Sequence, residues 1–301
     1  MPQAFDVVFL GTGSPLPSPD RCGCGCIIVA GNTNVLVDCG YGAARRIVPA
    51  GIIPAQIDVA IFTHMHTDHI TDVPDFINQR WVSGATKPLR VFGPAGTQKM
   101  ITGFLMAIED DIRFRTAHHP GKLHPQGAKV EVTEFTVSQT PEAFFAEEGL
   151  VLESFEVDHF PVVPAVGYRA KFDGRSVVLS GDTNLCDSLL NAAQGTDLLV
   201  SDALNPAMFA QYIERVRSMG RSNVASILED VPSYHINTQE VTQLARDAGV
   251  GSLVLSHLLP NLPNNDEMEA AFKAGMSDIY SGPIRLARDL QRITVEKRVN
   301  P

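Results

Sequence analysis

Thr63-His64-Met65-His66-Thr67-Asp68-His69 is the stretch on which the reading of this chain turns. It comes directly after residues 57–62 (IDVAIF), an apolar run of strand length. Three imidazoles and a carboxylate thus fall within six positions at the end of a buried strand, where a loop holds several ligands rigidly. In extended backbone His64 and His66 point to the same side, being two residues apart. Asp68 and His69 follow as the chain turns into a helix and face a neighbouring position. One ion does not easily take all four donors. Two ions side by side accommodate them, with His64 and His66 on one and Asp68 and His69 on the other. Imidazole and carboxylate without thiolate select zinc first, with manganese or iron as alternatives.

Two metals need further ligands, and the same grammar recurs along the chain. Asp158-His159 follows an apolar run at 151–157, Gly181-Asp182 follows one at 176–179, and Ser256-His257 follows one at 252–255. Taken singly, each has an ordinary alternative: a surface His159, a helix-capping Asp182, a satisfied core His257. Taken with the first cluster, they read as metal ligands. Cys22, Cys24 and Cys26 share one face if extended, but without a fourth ligand nearby they read as small, partly buried residues. His118, His119 and His124 form a looser group in a Pro/Gly loop, and Phe76 and Trp81 read as core or cleft lining.

Outward from these motifs, strand patterns fall at 5–10, 26–30, 34–38, 57–62 and 89–92, with helical spacing at 42–48 and 97–110. The second half repeats the alternation. Strands are expected at 130–137, 151–157, 166–172, 176–179, 198–201 and 252–255, and a pair of short ones within 284–295. Helices are expected at 184–193, 206–219, 238–248 and 266–274. Asp173-Gly174 marks a hairpin turn. The pattern predicts an α/β fold, a four-layer αββα sandwich, in one domain spanning residues 1–301 whose two similar halves share a cleft. The 301 residues carry a net charge of −10, which argues against gripping nucleic-acid phosphates as the main task. No run reaches membrane-spanning length, and Met1–Asp6 shows no signal-peptide pattern. With five cysteines and no pairing pattern among them, the expected location is the reducing cytoplasm.

The HxHxDH element and the later His, Asp and His at strand ends resemble the metallo-β-lactamase-fold hydrolases. Phe9-Leu10-Gly11-Thr12-Gly13-Ser14-Pro15 and Leu36-Val37-Asp38-Cys39-Gly40 are similar to the ribonuclease Z branch, and within it to arylsulfatase-like members. Arg90-Val91-Phe92-Gly93-Pro94, Asp111-Ile112-Arg113-Phe114-Arg115, Gly167-Tyr168-Arg169, Ser180-Gly181-Asp182-Thr183, Tyr234-His235 and His257-Leu258-Leu259-Pro260 extend the resemblance over nearly the whole chain. It implies one metal on His64, His66 and His159 and a second on Asp68, His69 and His257, bridged by Asp182. It also implies a hydroxide shared by the two metals as nucleophile, with Asp68 orienting it and His235 donating the proton to the leaving group. Asp38 is expected to hold a ligand imidazole through its far N–H, or else to cap the strand end near Gly40.

Two departures bear on the substrate. A ribonuclease Z that processes transfer RNA carries a long arm between the third His and the bridging Asp, whereas here His159 and Asp182 are 23 positions apart. After His257 stands Leu258-Leu259-Pro260-Asn261-Leu262-Pro263 rather than Ser-x-Arg-Tyr. These features and the charge predict a metal-dependent hydrolase of small anionic esters, sulfate esters or phosphodiesters. They predict no nucleic-acid or membrane partner, and the resemblance implies a homodimer. The alternatives are a tRNA 3′-processing endonuclease and a promiscuous β-lactamase or lactonase. A metal-binding module without turnover ranks last.

Overall fold

The computed structural model describes residues 3–298. Met1 and Pro2, with which the stretch searched for a signal peptide begins, lie outside the described residues. The chain divides into two compact units. One takes the chain up to Pro15, Cys22–Thr136 and Asp289–Thr294; the other takes Leu16–Arg21, Val137–Arg288 and the chain from Val295.

The first unit is a seven-stranded mixed sheet with helices. Its strands are β1 (Phe5–Gly11), β2 (Gly25–Ala30), β3 (Thr33–Val37), β4 (Ile57–Ile61), β5 (Leu89–Gly93) and β6 (Val130–Glu134), with a late strand, Arg292–Thr294, on the outer side of β1. β1, β2 and β3 are antiparallel, and β3 to β6 run parallel. Parallel neighbours need crossovers. These contain α1 (Ala43–Arg46), α2 (Thr67–Ile70), α3 (Val73–Val82), α4 (Thr97–Ala107) and α5 (Glu109–His118). Alternate strand residues Val8, Leu10, Ile27, Leu36 and Ala60, with Phe62 just after β4, pack with Ile47, Val73, Phe76, Ile77 and Ile101 of the crossovers. Burying each such side chain contributes about 1.5–3 kcal/mol.

Two helical stretches of this unit differ from expectation. The sequence gives no expectation of α3, whose Pro74 stands in the first turn where no N–H is needed. Its polar face is also deceptive. Arg80 is buried, donating from Nε to Ile57 O (2.6 Å) and from Nη1 to Lys87 O (2.9 Å) and pairing with Asp58 (2.5 Å). The helix expected at 97–110 is instead α4 followed by α5. α5 buries no residue, so it carries no apolar stripe to read. His118 ends α5, and His119 and His124 cap the flanking turns. All three are exposed.

The second unit holds the other seven-stranded sheet. Its elements are β7 (Glu142–Glu147), β8 (Leu150–Glu156), β9 (Val166–Phe172), β10 (Arg175–Leu179), α6 (Asp187–Ala193), β11 (Leu198–Leu204), α7 (Pro206–Ser218), α8 (Ser222–Asp230), α9 (Thr238–Asp247), β12 (Ser252–Leu259), α10 (Asp266–Phe272) and β13 (Ile284–Leu286). β14 (Arg292–Thr294) is the late strand already placed beside β1. Strands β7 to β10 are antiparallel and β10 to β13 parallel. Asp173 and Gly174 both have positive φ, 50° and 69°, as the hairpin turn requires. Asn205, Asn237 and Asn265 cap α7, α9 and α10 with their side chains. The two short strands expected at the chain's end do not pair with each other: β13 joins β12 and β14 joins β1. Among the described residues no helix is long and apolar enough to cross a membrane.

Candidate metal-binding site

In the first unit the ligand loop leaves the carboxyl end of β4, beside the carboxyl end of its parallel neighbour β3. Asp38 follows β3 directly and sits at φ 54°, a left-handed conformation that Asp tolerates better than most residues. Its carboxylate is buried and fully engaged. Thr63 N donates to Oδ1 (2.8 Å), while Thr63 Oγ1 and His69 Nδ1 donate to Oδ2 (2.8 Å each). A carboxylate that accepts from Nδ1 fixes the tautomer and turns Nε2 of His69 toward Asp68 Oδ2, 3.5 Å away. His64 lies beside both neighbours. Its Nε2 faces His66 Nδ1 at 3.0 Å, and its ring centre is 4.2 Å from that of His69. His64, Asp68 and His69 are buried. Cys24 joins Asp38 and His69 in a cluster whose donor atoms lie within 4.8 Å of one another.

The second unit assembles its residues at one edge of its sheet. β8, β10, β11 and β12 run in the same direction, so their carboxyl ends share that edge. His159 follows β8, and its Nδ1 donates to Tyr234 O (3.0 Å). Asp182 follows β10. One of its oxygens, Oδ2, lies 3.2 Å from His257 Nε2 and 4.0 Å from His159 Nε2. His257 corrects an expectation: it is inside β12, not beyond its end. The register shifts so that Ser256 pairs with Asp202 and Leu258 with Ala203, leaving His257 as an extra residue at φ 47°. Such a bulge breaks the strand's alternation and re-aims one side chain. The sequence signal stops at Leu255 because the polar pair Ser256-His257 interrupts the apolar run there.

His235 stands between a short turn and α9. Ile236 N donates to Thr183 O (2.6 Å) and Leu204 N to Ile236 O (2.9 Å), stitching this loop to the loop after β10 and to β11. His235 Nδ1 donates to Asp202 Oδ2 (2.8 Å), and both groups are buried. Asp202 was missed by sequence reasoning, since the strand expected at 198–201 ends one residue short of it. The only available signal was a carboxylate inside an apolar run. The rings of His235 and His257 stack at 5.4 Å, and His235 lies 5.3 Å from His159. Burial pushes the His159 imidazole below its ordinary range, helped by the neighbouring His235 and His257 and opposed by Asp182. It is therefore neutral near pH 7, as ligation requires.

The donor set fits divalent metal. Asp38, Tyr234 O and Thr63 occupy Nδ1 of His69, His159 and His64. Each of these rings thus presents Nε2. The acceptor atoms these rings meet, Asp68 Oδ2 and Asp182 Oδ2, are carboxylate oxygens suited to share a cation. Three of the five thiols are poor competitors for a metal. Burial raises Cys22, Cys26 and Cys39 above the ordinary thiol range, which disfavours the thiolate a metal would need. None of the five cysteines is in a disulfide.

The family model of the beta-lactamase superfamily domain matches residues 33–258. A ribonuclease Z of Mycobacterium bovis (strain BCG / Pasteur 1173P2) is 35% identical over 298 residues, covering 98% of this chain and 99% of that protein. The chain belongs to the ribonuclease Z branch of the metallo-β-lactamase-fold hydrolases. The crystal structure of human tRNase Z, short form, superposes with a TM-score of 0.70 at 19% identity, covering 97% of this chain and 99% of that one. The metallo-β-lactamase fold protein YhfI of Bacillus subtilis gives 0.69 at 18%, covering 97% and 100%. At these identities the two structures establish the fold, which is the one expected from the sequence. Membership of the branch makes the chain a metal-dependent hydrolase. It also corrects two expectations. Of the two expected substrate classes, sulfate esters find no support among relatives named as ribonucleases while phosphodiesters do, and the expectation of no nucleic-acid partner loses ground for the same reason.

Proposed function

We propose that the protein is a two-metal phosphodiesterase that cleaves RNA, the ribonuclease Z reading. The observation that carries it is the 35% identity with a ribonuclease Z over 98% of the chain. The proposed ligands are His64, His66 and His159 for one ion and Asp68, His69 and His257 for the other, with Asp182 bridging. Zinc is the proposed metal because the donors are imidazole and carboxylate. When bound, the metals supply an activated water and charge stabilisation at phosphorus. This chain's own residues do the rest. Asp38 and Tyr234 O orient ligand imidazoles, and Asp68 orients the nucleophile. His235, its Nδ1 committed to Asp202, delivers a proton from Nε2 to the leaving oxygen. A reducing, cytoplasmic compartment is part of the same proposal, supported by the cysteine usage. A homodimer and a single shared metal cleft belong to the same proposal.

A second reading, a phosphodiesterase of small molecules, is favoured by the short interval between His159 and Asp182. It is filled largely by the β9–β10 hairpin, with no room for a tRNA-gripping arm. Incubating zinc-loaded protein with a 3′-extended precursor tRNA, a nitrophenyl phosphodiester and a nitrophenyl sulfate separates the readings. The ribonuclease reading requires endonucleolytic release of the 3′ extension. Turnover of the small phosphodiester alone would move the assignment to the second reading, and turnover of the sulfate alone would defeat both.

A further inference from the structure

Directly after the ligand His159, the chain displays apolar side chains to solvent. Phe160 is 73% exposed and Val163 72%, although burying such side chains is the normal drive of folding. The segment is held at its neck. Val157 N donates to Ala165 O (3.1 Å) and Val162 N to His159 O (2.8 Å). Phe160, Val162 and Val163 line a cleft of about 250 Å³ together with Gln139, Glu156 and Ser188. Gln139 Nε2 donates to Glu156 Oε2, so an amide and a carboxylate stand in the same cleft as the apolar side chains.

We infer that this cleft is a nucleobase subsite in which Phe160 stacks on a base flanking the scissile phosphate. The inference rests on the ribonuclease reading and deepens it. An exposed ring beside polar edge-readers is how proteins take up unpaired bases: the ring covers the face, and amide or carboxylate groups bond the edge. Charge decides against a phosphate as occupant. Glu156 and Asp158 both line the cleft and would repel an anion, whereas a neutral ring with N–H donors meets a carboxylate acceptor. The position is informative too. Phe160 is the peptide neighbour of a proposed metal ligand, so a base held there belongs to a nucleotide next to the reacting bond. In a chain without a long arm in this interval, such a contact gives RNA a local hold.

The test uses metal-loaded protein and an RNA oligonucleotide cut at one bond, alongside versions with an abasic residue at either flanking nucleotide. Phe160→Ala is expected to raise KM on the intact RNA about tenfold, with kcat changed less than about twofold, as loss of one stacking ring does. Phe160→Trp should recover the wild-type KM. One abasic substrate should show the raised KM already in wild type and should not respond to Phe160→Ala. An unchanged KM on intact RNA, or an equal loss on intact and both abasic substrates, would overturn the subsite. If wild type cuts no RNA, the ribonuclease reading fails instead. Binding of adenosine 5′-monophosphate then decides the subsite: affinity weakened by Phe160→Ala upholds it, and affinity indifferent to the substitution rejects it.

Discussion

At the scale of single residues, the chemistry depends on carboxylates that touch imidazoles. Asp38 holds His69 and Asp202 holds His235, each at 2.8 Å and each buried. Buried carboxylates are costly unless hydrogen-bonded, so their placement points to a task. Backbone conformation tells the same story, since Asp38 and His257 both adopt positive φ. His235→Ala should slow turnover of a poor-leaving-group phosphodiester by about 10²–10⁴-fold. Metal content by elemental analysis should stay at the wild-type level. Asp202→Asn should slow the same reaction, because the carboxylate that orients the His235 ring is gone. Loss of metal in His235→Ala would recast His235 as a ligand.

At the scale of elements, most of the strands and the loops that follow them were legible because apolar runs end abruptly at polar residues. His64, His66, His159 and Asp182 stand just beyond a strand, where that boundary is visible, and Asp68 and His69 follow in the first helix after β4. His257 and Asp202 lie within strands, at a bulge that composition does not announce. α5 escaped because it buries nothing, and β7 because only Phe145 on it is buried. Pairing between strands is equally hidden from composition. Glu153 on β8 bonds Arg169 (2.5 Å) and Lys171 (2.8 Å) on β9. Burial alone would raise the Glu153 carboxyl, but these two cations outweigh it and hold the carboxyl below its ordinary range. Folded protein then binds this proton less readily than unfolded protein. The stabilisation is present above the ordinary glutamate range and fades as pH falls through the lowered folded value. Glu153→Gln should therefore cost about 0.5–1 kcal/mol near pH 7 in denaturant titrations, less than a buried pair because the site is partly solvated. The difference from wild type should vanish in acid. A cost that does not change with pH would assign the effect to packing.

At the scale of the whole molecule, the fold was legible from the alternation of strands and helices and from one specific motif. The substrate was not. A net charge of −10 averages over the entire surface, whereas phosphate recognition is local and can be set by bound cations and a few side chains. The charge therefore could not veto RNA. What composition and fold leave open, metal stoichiometry can close. Metal-free protein titrated with zinc, with release of the 3′ extension of a precursor tRNA followed at each addition, tests the two-metal ribonuclease account most directly. Cleavage should be absent in chelator and should saturate at two equivalents of zinc per chain. Full cleavage in chelator, or saturation at a single equivalent, would contradict it.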